Sequence, residues 1–351
     1  MTRSRVYLDW NASAPLRPEA RAAMIAAMDL CGNPSSVHGE GRAARALAER
    51  ARAQVAAAFG AEPDEVVFTS GATEAAALAA AGRGLACAPV EHDCVAAWCE
   101  ASLPVDALGR VAPADPGRAA LQAANSETGV IQDLPPGLAL VDAAQVAGRI
   151  PFAFGWMGAR AALVSAHKFG GPKGVGALLL RRGEEVAPRV RGGGQEAGRR
   201  AGTENLIGIA GMGAAAEAAA RDLADGAWER VAEVRRILEN ALASAGESTI
   251  LVGKGAPRLP NTICLATPGW RGETQVMLMD LAGYAISSGS ACSSGKVRPS
   301  RTLAAMGLGE AARDAIRISL GPATTEDDAL GFAQAWTAAR AKLRAKAAGA
   351  A

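Results

Sequence analysis

The chain has 351 residues, half of them apolar and only 4% aromatic, which is more than one typical domain and the balance of an ordinary globular protein. Acidic and basic residues nearly cancel to a formal net charge of +2 with no long basic block, so there is no footprint for nucleic acid, and small diffusible substrates are expected. The start has no apolar leader core and no apolar run is long enough to span a bilayer, so the expected protein is cytoplasmic, with no membrane. In chain order, a strand-like run Val6 to Trp10 is followed by a helix over Glu19 to Leu30, which Pro18 opens. Gly32-Asn33-Pro34-Ser35-Ser36-Val37-His38 is a loop, and Gly41 to Phe59 reads as a long amphipathic helix stopped by Gly60.

Glu65 to Thr69 reads as a strand that runs into Ser70-Gly71-Ala72-Thr73-Glu74 and an alanine-rich helix. A strand, a small-residue turn and a helix start gather free amides and the helix dipole at one point, which suits phosphate; the same turn also serves as a plain helix cap. Val90-Glu91-His92-Asp93-Cys94 then leads into a helix through Ser102. Leu121 to Ala124 ends in Asn125-Ser126-Glu127-Thr128-Gly129, and Leu138 to Val141 ends in Asp142-Ala143-Ala144-Gln145. Short buried strands with polar groups at their C-terminal ends, alternating with helices, mark the ligand edge of an open α/β sheet.

Ala161 to Val164 is a further such strand, and it ends in Ser165-Ala166-His167-Lys168. The chain has only six lysines against a large excess of arginine, so a lysine at a strand end points to a need for an amine. A guanidinium stays protonated, whereas a desolvated lysine can lose its proton and attack a carbonyl. The Gly/Arg-rich stretch Arg191 to Thr203 is either a surface excursion or an anion site. Helices over Leu206 to Leu223 and Trp228 to Ala245 close a large domain. Beyond them, strands at Ile250 to Val252, Thr262 to Leu265, Ala285 to Ser287 and Ile316 to Leu320 alternate with helices at Glu273 to Leu281, Ser300 to Met306 and Glu326 to Lys346, as in a small α+β domain. The six cysteines contain no Cys-x-x-Cys pair, which argues against a metal site or a disulfide framework. Cys292 alone sits among small polar residues, Ser287 to Gly295, as an accessible nucleophilic thiol requires.

These motifs, with Ile316-Arg317-Ile318-Ser319-Leu320-Gly321, closely resemble cysteine desulfurases of the NifS/IscS type, class V aminotransferases of pyridoxal-phosphate fold type I. The resemblance runs in order from about Tyr7 to Thr325. It implies an α/β fold with a mainly parallel, seven-stranded-type sheet in a large domain, residues 13–246, and a small α+β domain built from 1–12 and 247–351. It implies pyridoxal 5'-phosphate held covalently by Lys168, with Asp142 on the ring nitrogen, Gln145 on the ring hydroxyl and His92 stacked on the ring face. Ala72, Thr73, Ser165 and His167 would hold the phosphate, Thr203 would reach in from the other subunit of a homodimer, and Asn125 and Ser126 would stand near the cofactor. Arg317 and Asn33 would bind substrate, L-cysteine. Cys292 would take its sulfur as a persulfide, leaving L-alanine, ligate an iron–sulfur cluster transiently, and pass sulfur to a protein acceptor such as an iron–sulfur scaffold. Other class V chemistry, such as selenocysteine lysis or transamination, shares the cofactor site without needing Cys292, and a non-catalytic binding platform is the remaining alternative. The family has Asn-Asn-Glu where this chain has Asn125-Ser126-Glu127, and Ser-Gly-His where it has Ser165-Ala166-His167; little chain lies between Gly82 and Val90, and most of the usual C-terminal tail is missing.

Overall fold

In the computed structural model, which describes residues 5–244, 248–288 and 299–349, the polar strand ends converge because seven short strands lie side by side. The strands are β1 (Val6–Tyr7), β2 (Val66–Thr69), β3 (Ala86–Cys87), β4 (Glu100–Ala101), β5 (Ala120–Gln122), β6 (Leu140–Asp142), β7 (Ala161–Ser165), β8 (Gly176–Leu180), β9 (Ile250–Leu251), β10 (Thr262–Ala266), β11 (Tyr284–Ala285), β12 (Ser287–Ser288) and β13 (Ala315–Ser319). The helices are α1 (Pro18–Met28), α2 (Gly39–Phe59), α3 (Ala72–Ala80), α4 (Asp93–Ala96), α5 (Phe154–Met157), α6 (Leu206–Ala224), α7 (Ala227–Ser244), α8 (Gly272–Leu281), α9 (Arg301–Ala305) and α10 (Glu326–Gly349).

The main ladder runs β2-β8-β7-β6-β5, and a parallel bridge from Ala86 to Ala119 carries it on to the parallel pair β3-β4. Strand β8 is antiparallel to both its neighbours, so it alone reverses direction among the seven. Side chains alternate across each strand. Val141, Ala162, Val164 and Leu179 therefore pack with α1, α2 and α6 on one face, while Leu140, Leu163 and Leu178 pack with α3 on the other. Both faces being covered explains the uninterrupted apolar runs, and each leucine so buried contributes about 1.5–3 kcal/mol relative to exposure.

A second sheet, β12-β13-β10-β9, is antiparallel throughout and packs on Trp228, Val231, Leu238 and Leu242 of α7 and on Phe332 and Trp336 of α10. The amino-terminal segment links the two sheets: β1 pairs with β11, Asp9 bridges to Ser319, and Ala14 N donates to His167 O at 2.8 Å.

Two segments depart from the sequence reading. The helix expected through Ser102 is a single turn, α4, after which Glu100 N donates to Leu85 O at 2.8 Å and the chain becomes β4. Pro104 disfavours helical backbone just before it, and the sheet edge offers the amide a partner instead. The single strand expected over Ala285 to Ser287 divides at Ile286 into β11 and β12, which pair with different neighbours.

Candidate active site

One cavity of about 420 Å³ lies at the C-terminal ends of β2, β6 and β7, a volume suited to a small ligand. Of the residues expected at a cofactor, Ala72, Thr73, His92, Ser126, Asp142, Gln145, Ser165, His167 and Lys168 line it. Ser13, Ser70, Cys94, Gln122 and Lys173 join them, and sequence reasoning gave none of these a role.

One end of the cavity suits an anion. Helix α3 begins at Gly71 without a side-chain cap, so its first amides and dipole point outward beside Ser165, His167 and Lys173. The only acid in its first turn, Glu74, is occupied: it accepts from Ser70 N at 2.6 Å and pairs with Arg200 at 2.7 Å. His167 Nδ1 lies 3.3 Å from Ser13 Oγ. Burial first, and then the positive charges of Lys168 and Lys173, lower His167 to about 4, so at neutral pH it adds a hydrogen-bonding group without a charge.

The opposite end is acidic and buried. Asp142 accepts from Ala144 N at 2.9 Å; burial raises its carboxyl, opposed by His92 and Lys168. His92 caps α4, with Nδ1 accepting from Cys94 N at 3.1 Å, which leaves Nε2 as the ring's donor. Beneath them Glu91 is 2% exposed; burial above all, then Asp142, holds it well above the usual carboxylate range. Its Oε1 accepts from Gln122 N at 2.8 Å. Asp142, which lines the cavity while Glu91 does not, is the carboxyl placed to meet a cationic group of a ligand.

Between the two ends, Lys168 Nζ donates to Asn11 O at 2.7 Å and to Ala12 O at 3.1 Å. Gln145 Nε2 shares the Asn11 carbonyl at 3.2 Å. The amine is thus moored on the amino-terminal segment, and Asn11, fully buried, is a central site residue without an assigned role in the sequence reading. Its signal was fainter than that of Asp142: Asn11 follows the strand-like run Val6 to Trp10, which Asp9 interrupts.

The remaining expected residues fall elsewhere. Asn125 is buried outside the cavity lining, with its amide spent on Val90 O, Gln122 Oε1 and the amides of Glu127 and Thr128. Arg317 is 3% exposed; Nη2 pairs with Asp9 at 2.7 Å and Nη1 donates to Ser126 O at 3.2 Å, leaving Nε without a partner. Asn33 is exposed, its Oδ1 accepting from Ser35 N at 2.9 Å, and lies outside the cavity lining. Thr203 is exposed and also lies outside it. The Gly/Arg stretch that carries Thr203 is pinned: Glu196 takes a bidentate pair from Arg52, both arms at 2.9 Å, and accepts from Phe68 N. Cys292 lies outside the described residues.

The model of one known family, aminotransferase class V, matches residues 6–97 and 106–332 of this sequence. The chain belongs to the class V aminotransferases. Within that family it is 42% identical over 359 residues to a cysteine desulfurase of Klebsiella pneumoniae, covering 92% of this chain and 90% of that one. It is 38% identical over 360 residues to cysteine desulfurase IscS of Dictyoglomus turgidum, covering 92% and 91%. The solved structure of a NifS-like protein from Rickettsia africae superposes with a TM-score of 0.85 at 29% identity, covering 95% of this chain and 98% of that one. The α/β fold with its mainly parallel sheet is that of the class V enzymes. No group of side chains suited to a metal ion occurs among the described residues, and no helix among them is long and apolar enough to cross a membrane.

Proposed function

We propose that this class V enzyme is a cysteine desulfurase that uses pyridoxal 5'-phosphate to convert L-cysteine to L-alanine, retaining the sulfur as a persulfide on Cys292. The observation that carries the reading is the placement of the Lys168 amine between an uncapped helix start and a buried carboxylate in one cavity. The donor set fits the cofactor at both ends: amides, hydroxyls, His167 and Lys173 for the phosphate, Asp142 for the protonated ring nitrogen. When bound there, pyridoxal phosphate supplies an electron sink for bonds at an amino acid's α-carbon.

The chain's own groups supply the rest. Lys168 would hold the cofactor covalently, and its amine is the base placed to move the substrate's α-proton. Asp142 would hold the protonated ring nitrogen, and His92 would pack against the ring. The overall change conserves the sulfur: the cysteine C–S bond breaks, an S–S bond forms to the Cys292 thiolate, and the β-carbon takes up a proton. We assign Arg317, with Asn33 and Ser126, to the substrate side and Thr203 to the phosphate of the other subunit's site in a homodimer. Residues 13–246 would form the large domain and 1–12 with 247–351 the small one, and the sulfur would pass to a protein acceptor such as an iron–sulfur scaffold in the cytoplasm.

The test is direct. Protein supplied with pyridoxal phosphate and L-cysteine should yield alanine and a persulfide. Lys168→Ala should lose the bound-cofactor absorbance and all turnover, and Cys292→Ala should lose desulfuration. Desulfuration surviving in Cys292→Ala, or transamination in its place, would replace this reading with another class V activity.

A further inference from the structure

Arg149 has no role in the reading above, yet it is 1% exposed and sits behind the lysine. Burial first, and the charge of Arg317 second, lower its guanidinium to about 9, so it remains a cation at neutral pH. Nη1 donates to Asn11 Oδ1 at 2.8 Å and to Gln145 Oε1 at 2.5 Å. Nη2 donates to Trp10 O and to Lys168 O, both at 3.1 Å. All four acceptors are neutral oxygens. A buried cation without a carboxylate is costly, so what it achieves must lie in the donors it supplies.

A guanidinium can only donate and a backbone carbonyl can only accept. Gln145 is caught between one of each, with Oε1 on Arg149 and Nε2 on Asn11 O. Turning the amide over would set its NH2 against Nη1 and its oxygen against Asn11 O, losing two hydrogen bonds and creating two repulsive contacts. Its orientation is therefore fixed by chemistry, and Nε2 has a second hydrogen to offer the cavity that Gln145 lines. Asn11 is oriented in the same way: Oδ1 takes Arg149 and Asn261 Nδ2, so Nδ2 faces Ser126 O and Thr262 Oγ1.

We propose that Arg149 is a positioning residue that obliges Gln145 to present a hydrogen-bond donor to the cofactor's ring oxygen, so that this oxygen is bound as a phenolate, and that it fixes the Asn11 segment on which the Lys168 amine rests. The inference rests on the pyridoxal-phosphate reading and adds to it the residue that sets the donor polarity of the ring-oxygen subsite.

The test uses the holoenzyme and two readouts other than turnover: the pH midpoint of the bound cofactor's absorbance, and the dissociation constant for pyridoxal phosphate. Arg149→Met removes the donors at similar length. Losing a donor to the phenolate and a nearby cation should raise the midpoint by about one unit, and cofactor affinity should fall roughly tenfold, as for one charge-assisted hydrogen bond. Arg149→Lys, which keeps the charge but not the fork, should recover part of both changes. In a Gln145→Ala background the same Arg149→Met change should move the midpoint less than half as far, because the path through Gln145 is already gone. Equal shifts in both backgrounds, or no shift in either, would overturn the proposal. Should Arg149→Met fail to fold, Gln145→Glu decides: it pairs with Arg149 but offers only an acceptor, so affinity should still fall, and unchanged affinity overturns the proposal. A parent protein that takes up no pyridoxal phosphate would overturn the proposal and the functional reading together, whereas a parent that binds it and variants that behave alike overturn the proposal alone.

Discussion

His167 shows how a single residue couples the phosphate end of the cavity to stability. Its folded value of about 4 lies below the ordinary 6.5, so between these values the unfolded chain binds more protons than the folded one. Stability of the protein without cofactor should therefore be lost as pH falls from 6.5 toward 4, and denaturant midpoints measured across that range should fall less in His167→Asn. Glu91 and Asp142, both raised by burial, pull the opposite way, which is why the variant rather than the bare pH profile is the proper comparison. Ser126 gives a second prediction at this scale. Asn125 has no free amide hydrogen-bonding capacity to stand in for it, so Ser126→Asn should strengthen cofactor or cysteine binding by one hydrogen bond, about 0.5–1.5 kcal/mol, and a loss of affinity in both dissociation constants would refute this. Lys168, Asp142 and His92 were legible because each is a polar residue set at the end of an apolar run or in a punctuated turn. Arg149 was not, because in Gly148-Arg149-Ile150 it reads as surface charge, and only the distant Trp10-Asn11 segment lying across it makes it a buried donor.

At the scale of elements, the phosphate turn depends on how closely β8 approaches it. A Cβ on Gly176 would stand 2.6 Å from Val164 O and 2.8 Å from Gly71 Cα, both backbone atoms that cannot swing aside. Gly176→Ala should then part β8 from β7 or displace the start of α3, costing about 1–3 kcal/mol and weakening phosphate binding. Gly194, where an added methyl would meet nothing within 4 Å and φ is −88°, is the matched control and should tolerate alanine without change. Equal unfolding midpoints and cofactor affinities for the two variants would remove the turn's dependence on close backbone approach. Long strands and helices were legible from their periodicity, since a face buried on both sides enforces an unbroken apolar run. Some of the shortest elements were not: α4, β4 and the divided β11 and β12 are decided by neighbouring edges, which carry no local period.

For the whole molecule the open question is which cavity Thr203 serves. It is exposed and outside the cavity lining of its own chain, while its loop is anchored by the Arg52–Glu196 and Arg200–Glu74 pairs. Large apolar side chains, Leu16, Ile25, Met28 and Val37, also stand exposed on and around α1, surface that a partner subunit would cover. Both observations fit a homodimer in which the loop of each subunit completes the other's phosphate end. Light scattering should give twice the chain mass of 35.5 kDa. Thr203→Ala alone should lower cofactor affinity by about one hydrogen bond, or two- to tenfold. Co-expression separates the two arrangements. In a heterodimer of Lys168→Ala with Thr203→Ala, a loop acting across the interface places both defects in one site and leaves the other intact, so half the sites should bind cofactor with the parent affinity. A loop acting within its own subunit leaves one site without lysine and the other without threonine, and no site with the parent affinity; that outcome would return Thr203 to its own chain.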